Sequence, residues 1–422
     1  MVMKRLLAAT GVVAALIVML LISACGGSSQ SGGSSTKCHG GTMKMANGMV
    51  MCKSAMPGMS MGSGGKSSAK SRGSDRGLIH VSTAVPNGAV PTQLLAMDSW
   101  QGMMIMAQTR SSIPFLIYEM HQWRKVEPPK HSSFHLMIML NDEYTNAPIS
   151  YASVWATITK VGQGASGETV DKQLEQWPMN SRWMGPHYGN DVALPGSGTY
   201  KLTILISAPA GAYRNSEYRK VWLTSHQVTA LFKWNAATSK VTMVGSDMGS
   251  MSSLSSMKLG INGGVDQVNG VNKPPVATVA TAYWQGMRIQ TLAGSPQSYY
   301  EPYQSPNAPA VYSTRALSDS QGANVNFMVL LRDRQTGSIL PYSGVYAVIR
   351  DAAGKVIYRG ALRATLSAFY GVYYGSDLKL PGAGRYSAQL TVNPPQQGRH
   401  LEYEHVWLSP HRFTEAFSWS GK

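Results

Sequence analysis

The feature that most constrains the fold is an internal duplication. Three segments recur 184 to 186 residues further along the chain: Trp100–Met103 as Trp284–Met287, Gly189–Tyr200 as Gly375–Tyr386, and Glu217–Leu223 as Glu402–Leu408. This interval is that of a whole domain, so the pattern predicts two tandem copies of one fold and not a solenoid of short repeats. We place the first copy at 79–245, a Gly/Ser/Asn-rich linker at 246–275, and the second, degenerate copy at 276–422.

Both copies have the residue pattern of β-strands. Phe134–Leu140 alternates between two faces, and Val154–Ile158 and its counterpart Val345–Ile349 consist mostly of β-branched and aromatic residues. Thr199–Ile206 follows a Pro-Gly-Ser-Gly turn. No window of twelve residues has a convincing helical period, so we predict an all-β chain with one β-sandwich in each copy.

The N-terminus has the features of a secretion signal. Lys4 and Arg5 precede an apolar run over 6–22, and Ser23-Ala24-Cys25 follows it. We predict a lipoprotein signal peptide over 1–24, with Cys25 as the acylated first residue of the mature protein. The alternative is an uncleaved transmembrane anchor. In either case the remainder lies outside the cytoplasm, at the cell surface or in the periplasm, and is held at a membrane.

Residues 25–78 are rich in Gly, Ser, Met and Lys and lack a hydrophobic period, so we predict a disordered tether. The tether contains a series of soft or imidazole ligands: Cys38, His39, Met43, Met45, Met49, Met51 and Cys52. A flexible array of thioethers and thiolates suits Cu⁺ better than Fe²⁺ or Zn²⁺, which makes the tether a candidate soft-metal site. The alternative is a disulfide between Cys38 and Cys52.

Composition excludes several classes of function. The net charge is +16, but half of it lies in the first 78 residues, which indicates attraction to anionic lipid or wall polymers and not a nucleic-acid groove. Only 21 residues are acidic, so a site built mainly from carboxylates is not expected. All three cysteines lie outside the predicted domains, and no Ser-His-acid arrangement is recognisable. We therefore do not expect an enzyme.

One motif suggests a family. Pro178-Met179, Gly185–Gly189 (Gly-Pro-His-Tyr-Gly) and Leu194–Tyr200 together resemble the bacterial periplasmic Fe²⁺ transport protein family. The resemblance is best over 130–245 and weaker over 325–420. It implies immunoglobulin-like β-sandwich domains that bind Fe²⁺ or copper (Cu²⁺ or Cu⁺) and act beside an inner-membrane metal permease.

The resemblance also implies a metal site. Met179 matches the methionine of the family motif, and His187 matches its histidine. The interval between them is about one residue longer than in the family, so the methionine assignment can also fall on Met184.

An early strand of the family contributes further ligands. Here Glu119 and His121 stand where an acid-x-His pattern is expected, and strand alternation places both on one face. Phe115 and Ile117 occupy the positions of the family's earlier His and Glu, which leaves the ligands of this strand open.

The last ligand of the family comes from a Gly-Arg-His turn of the partner subunit in a dimer. The second copy has this turn as Gly398–His400, whereas the first copy has Tyr213–Asn215. Conversely, the motif methionine and histidine align with Thr365 and Tyr373 in the second copy. We therefore expect the chain to be a fused pseudo-dimer in which the first copy's motif lies next to His400. The opposite site, with Thr365, Tyr373 and Asn215, is expected not to bind metal. The alternative is that His400 is an exposed loop histidine.

The remaining histidines favour structural roles. His226 and His411 match in both copies, although only one copy has the metal motif, so we expect them to make structural hydrogen bonds. The stripe of His135, Met137 and Met139 is expected to belong to the core or to an interface.

These observations favour a membrane-anchored, extracytoplasmic protein that binds a transition metal and supports Fe²⁺ uptake by delivery to a permease. The first alternative is a copper-handling lipoprotein that uses the Met-rich tether. The second is a surface interaction module that does not bind metal.

Overall fold

A computed structural model describes residues 42–44, 50–52, 92–162, 169–244, 266–305, 308–317 and 322–421. It confirms the all-β prediction, because these residues form 27 strands and no α-helix. Accordingly, none of them belongs to a helix that is long and apolar enough to cross a membrane. The predicted leader and Cys25 lie outside the described residues, as do Cys38, His39, Met45 and Met49.

A short hairpin lies inside the segment for which the sequence predicts disorder. Strands β1 (Thr42–Lys44) and β2 (Val50–Cys52) pair antiparallel, with Met43 opposite Met51. The residues between the two strands lie outside the described residues, and the disorder predicted for the rest of 25–78 stays a prediction.

The first copy contains twelve strands: β3 (Gln93–Trp100), β4 (Met103–Arg110), β5 (Phe115–Glu119), β6 (Gln122–Val126), β7 (Phe134–Asp142), β8 (Val154–Lys160), β9 (Thr169–Ser181), β10 (Gly185–Val192), β11 (Gly198–Ile206), β12 (Tyr213–Arg214), β13 (His226–Asn235) and β14 (Lys240–Val244). A small hairpin follows, formed by β15 (Gln267–Val268) and β16 (Val271–Asn272).

The second copy contains eleven strands: β17 (Val276–Trp284), β18 (Met287–Gly294), β19 (Tyr300–Ser305), β20 (Ala308–Ala316), β21 (Val325–Asp333), β22 (Val345–Asp351), β23 (Val356–Ser367), β24 (Gly371–Leu378), β25 (Gly384–Val392), β26 (Gly398–His400) and β27 (His411–Trp419).

Each copy is a β-sandwich whose two sheets share one long strand. In the first copy the order is β3-β4-β7-β10-β9 and then β9-β8-β11-β13-β14, because the two halves of β9 pair with different neighbours. The second copy repeats this as β17-β18-β21-β24-β23 and β23-β22-β25-β27. Ile138 of β7 and Leu202 of β11 are fully buried in the core, and Phe134 makes an edge contact with Phe232.

The two copies exchange short strands. β26 of the second copy lies between β5 and β9 of the first, with His400 opposite Phe115 and Gly398 beside Met179. In return, β12 of the first copy lies between β19 and β23 of the second. Each donated strand thereby pairs with backbone N–H and C=O groups that would otherwise be left unpaired at an open sheet edge.

A buried arginine fixes each donated strand. The Arg399 guanidinium donates to the carbonyl oxygens of four residues in its own copy: Pro395, Tyr403, Val406 and Trp407. Arg214 does the same with Pro209, Tyr218, Val221 and Trp222. Burial lowers the pKa of Arg399 to about 9 and that of Arg214 to about 10.

Further contacts between the copies come in matched pairs. The backbone N–H of Tyr151 donates to the Tyr342 hydroxyl at 2.8 Å, and the N–H of Tyr342 donates to the Tyr151 hydroxyl at 3.0 Å. Glu402 accepts from the Ser181 hydroxyl of the first copy, whereas Glu217 accepts from the Ser367 hydroxyl of the second. The contacts between the two copies are therefore reciprocal.

Candidate metal centre

Three buried histidines from three different strands converge next to the donated strand. They are His135 of β7, His187 of β10 and His400 of β26, with 0, 2 and 1% of their surface exposed. One ring nitrogen from each lies within 4.8 Å of those of the other two. A cluster of this size places three imidazole donors around a volume that one metal ion can occupy.

His135 is held by a carboxylate on the neighbouring strand. Its Nδ1 lies 3.0 Å from Oδ1 of Asp191, the residue opposite it in the β7–β10 pairing. This contact assigns the proton to Nδ1 and leaves the lone pair on Nε2, which has no hydrogen-bond partner among the described residues. Gly189 makes room for the ring, since a Cβ at this position would lie 2.7 Å from Nε2.

His187 is oriented by its own turn. Its Nδ1 lies 3.0 Å from the Gly185 carbonyl oxygen, to which it donates, so that the Nε2 lone pair faces His400. Burial is the main reason that the pKa of His187 is lowered to about 3, and the nearby His135 and Arg110 lower it further. The ring is therefore neutral at physiological pH, as a metal ligand must be.

His400 completes the group from the other copy. Its Nε2 lies 3.2 Å from Nε2 of His187, and its buried Nδ1 has no partner among the described residues. Burial, together with His187, His135 and Arg110, lowers its pKa well below the ordinary value. The structure thus places His400 in a buried site and not in an exposed loop.

Met179 lies beside the histidines. It stands directly opposite His187 in the β9–β10 pairing and is buried in a small apolar cluster with Phe115 and Ile117. The donated strand passes close to it, because a Cβ at Gly398 would lie 2.7 Å from Met179 Cγ. The structure therefore brings together Met179, His187 and His400, and their binding of a metal remains a prediction.

Other residues from the sequence analysis lie elsewhere. Strand β5 ends at Glu119, and Met120 and His121 form a turn with positive φ angles of 50° and 65°, so the expected strand alternation does not hold. Glu119 pairs with Arg124 at 2.9 Å, and His121 is exposed. Neither belongs to the buried group. Met184, the alternative methionine, accepts a long hydrogen bond of 3.8 Å from Arg110 Nη1 to its sulfur.

The tether residues are described only in part. Met43, Met51 and Cys52 lie on the strands of the β1–β2 hairpin, and their side chains are outside the described part of the structure. The soft-metal prediction for the tether therefore stays a prediction.

At the equivalent position of the second copy, the described residues include no imidazole. Asn326 replaces His135 and donates through Nδ2 to Tyr299 Oη at 2.5 Å and to Asp377 Oδ1 at 2.8 Å. Tyr373 replaces His187, and its hydroxyl donates to Asn215 Oδ1 at 2.8 Å. The amide and phenol groups are hydrogen-bonded to one another, and the bond between Tyr373 and Asn215 joins the two copies.

His135 is the residue that the sequence analysis missed. Its position on an alternating apolar strand indicates core or interface, and its counterpart Asn326 gives no sign of metal binding. The signal that could have identified it is the pairing of β7 with β10, which sets Asp191 behind the ring. A carboxylate behind a buried histidine is typical of metal ligands.

The donor set suits a transition metal. Neutral imidazoles bind Fe²⁺, copper and Zn²⁺, and a neighbouring thioether increases the preference for copper, above all for Cu⁺. A metal ligand needs a nitrogen lone pair that no other group occupies, and Nε2 of His135 has no hydrogen-bond partner among the described residues. Ligands of one ion must also lie close together, as Nε2 of His187 and Nε2 of His400 do. The residues present therefore fit such an ion.

Comparison with known proteins identifies the family. The model of the Fe2+ transport protein family matches residues 116–236 of the first copy and 333–421 of the second. Both copies of the chain thus belong to the Fe²⁺ transport protein family, which confirms the resemblance inferred from the sequence. No curated protein matches the sequence.

Several solved structures are similar to part of the chain. FetP of uropathogenic E. coli strain F11 is 17% identical, covers 35% of this chain and 98% of its own, and gives a TM-score of 0.27. Copper-reconstituted P19 from Campylobacter jejuni is 16% identical, covers 35% of this chain and 98% of its own, and gives a TM-score of 0.26.

Proposed function

We propose that the chain binds one transition-metal ion outside the cytoplasm through His135, His187 and His400, with Met179 beside them, and supports uptake of Fe²⁺. The observation that carries this proposal is the convergence of three buried imidazoles, of which His135 and His400 each have a ring nitrogen without a hydrogen-bond partner among the described residues. Membership of the Fe²⁺ transport protein family supports Fe²⁺ as the cargo. Delivery to an inner-membrane permease, with the chain held at the membrane by lipid on Cys25, belongs to the same proposal.

The chain acts in this proposal as a fused dimer with one working site. The reciprocal exchange of β12 and β26 supports this arrangement, because each copy completes a pocket of the other. Among the described residues, the histidine cluster lies at one of these two positions. Since His400 comes from the second copy, the metal ion links the copies, and the second copy serves as a permanent partner.

Copper handling is the second candidate, and the donor set favours it. Phe115 and Ile117 are apolar at the positions where the family resemblance implies His and Glu, and Glu119 of β5 pairs with Arg124 and is not part of the histidine cluster. Imidazole and thioether donors without a carboxylate favour copper over Fe²⁺. Copper-bound forms of FetP and P19 are among the similar structures.

The test is a metal titration of the full-length protein by calorimetry, with Cu²⁺ in air and Fe²⁺ under anaerobic conditions. We expect one equivalent to be lost in both His187→Ala and His400→Ala, with the fold checked by circular dichroism. His226→Ala is the matched control, because His226 stacks on Trp100 and contacts Asp98, and belongs to no cluster of this kind among the described residues.

The same titration of residues 79–422 separates the domains from the tether. Loss of an equivalent in His187→Ala alone contradicts the shared site, and absence of any change in both variants contradicts the proposal. A tighter Fe²⁺ equivalent favours iron supply, whereas exclusive binding of copper favours the second candidate.

A further inference from the structure

Arg110 lies on the strand next to that of His135. Arg110, at the end of β4, lies directly opposite His135 in the β4–β7 pairing, so both side chains leave the sheet on the same face. Its charge acts on both His187 and His400. A guanidinium this close to a cation site repels the cation unless something between them carries negative charge.

Arg110 has no ion-pair partner within the part of the chain that the structure describes. Its Nε is buried without a hydrogen-bond acceptor, and its Nη1 reaches only the sulfur of Met184 at 3.8 Å. Asp191 and Glu402 are close enough to raise its pKa, but burial outweighs them and lowers it. Glu402 accepts from Ser181 and from the backbone N–H of Arg182, and Asp191 contacts His135 through Oδ1, whereas its buried Oδ2 has no hydrogen-bond partner among the described residues.

The arginine occurs only on the side with the histidines. In the second copy the residue opposite Asn326 is Gly294, which takes the place of Arg110 in an otherwise equivalent pairing. Met184 likewise has the aromatic Tyr370 as its counterpart. An arginine needed only for the fold of the sandwich has no reason to be confined to the copy that carries the imidazoles.

The charge balance requires a further negative group for a divalent ion. Imidazoles bind a metal ion in their neutral form and a thioether carries no charge, so a divalent ion and Arg110 together bring three positive charges. Asp191 and Glu402 supply two negative charges. Excess charge in a buried site is costly, and the imbalance disappears for a monovalent ion such as Cu⁺.

We propose that Arg110 binds a small oxyanion of the size and charge of bicarbonate, which shares the site with a divalent metal ion and completes its coordination. The planar guanidinium offers parallel N–H donors that match two oxygens of such an anion. The metal takes the anion in the coordination position that three histidines leave open. This inference rests on the proposed function, because it needs the metal site.

The test uses the full-length protein and bicarbonate as the probe. Cu²⁺ affinity is measured by calorimetry in chloride-free buffer with and without bicarbonate, and the electron paramagnetic resonance spectrum of bound Cu²⁺ is recorded in both. We expect bicarbonate to tighten Cu²⁺ binding about tenfold and to shift the spectrum. Cu⁺ affinity, measured by competition with a chromophoric chelator, should not change.

Two variants assign the effect to Arg110. Arg110→Gln should retain Cu⁺ binding and lose the response of Cu²⁺ to bicarbonate, and Arg110→Lys should retain part of the response. Arg288→Gln is the matched control, because Arg288 is also an arginine with a buried, unpartnered Nε but lies on β18 of the second copy. It should respond as the parent does.

Two results overturn the inference. The first is Cu²⁺ binding by the parent that does not change with bicarbonate, and the second is an equal response in Arg110→Gln. Absence of Cu²⁺ binding at the histidines is a different result, because it refutes the proposed function and the anion site together.

Discussion

Nε2 of His187 and Nε2 of His400 lie 3.2 Å apart, although 213 residues separate them in the sequence. His187 donates through Nδ1 to Gly185, so its Nε2 carries a lone pair. This contact is favourable when His400 donates a proton from Nε2 to that lone pair, or when a metal ion lies between the two nitrogens. Exchange of β26 between the copies is what brings these two atoms together.

Gly189→Ala should weaken metal binding. The added Cβ would lie 2.7 Å from Nε2 of His135 and must push the ring away from the other histidines. Gly375→Ala is the matched substitution in the second copy, where the Cβ meets Tyr373 and Tyr299 at 2.6 and 2.8 Å. It should lower the melting temperature and leave metal affinity intact. Equal metal affinity in the two variants would show that the position of His135 is unimportant.

Asp191→Asn should lower metal affinity by about 10- to 100-fold without changing the number of ions bound, as is usual when the carboxylate behind a ligand histidine is removed. The measurement is a competition titration against a chelator of known affinity. Asp377→Asn is the control, because Asp377 occupies the same position behind Asn326. An unchanged affinity in Asp191→Asn argues against His135 as a ligand.

The metal-free protein should lose stability in acid. The pKa of His187 is about 3 and that of His400 is well below its ordinary value, so the unfolded chain binds more protons below pH 6.5. The contribution of these histidines is therefore complete above about pH 6.5 and is lost as the pH falls towards 3.

Urea denaturation at several pH values measures this dependence, with His187→Gln as the reference. The reference is needed because burial raises the pKa of carboxyl groups such as Glu217, which changes stability in the opposite direction. The slope of the parent should exceed that of His187→Gln between pH 4 and 6. Identical slopes would mean that the imidazole is not buried in the folded protein.

The two copies should stay together after the chain between them is cut. A protease site placed within 246–265 leaves the exchanged strands and the paired Tyr151–Tyr342 contacts unchanged. After cleavage, the halves should elute as one species in native size-exclusion chromatography and separate in denaturant. Two species under native conditions would contradict the fused-dimer proposal.

The sequence was sufficient for the parts of this account that depend on pattern. Alternation and turn residues predicted the β-sandwiches, and the motif around His187 predicted the family. The meeting of His187 with His400 followed from the complementary loss of motif residues in the two copies. His135 could not be identified as a ligand candidate in the same way, because a histidine that alternates with Leu136 and Ile138 fits the pattern of any strand buried on both faces.

Local geometry explains the other differences. Glu119 and His121 were expected on one strand face, but the chain reverses at Met120 with a positive φ that alternation does not reveal. Arg110 could not be predicted as a site residue from the sequence, because it lies opposite His135 only through the pairing of β4 with β7.

The central claim is that one ion binds between the copies through His135, His187 and His400. Crystals of the full-length protein loaded with Cu²⁺ test it most directly, through anomalous diffraction at the copper edge. We predict one anomalous peak within coordination distance of a nitrogen from each of these histidines, and none in the pocket of Tyr373 and Asn215. A peak in both pockets, or none at the histidines of metal-loaded crystals, would contradict the account.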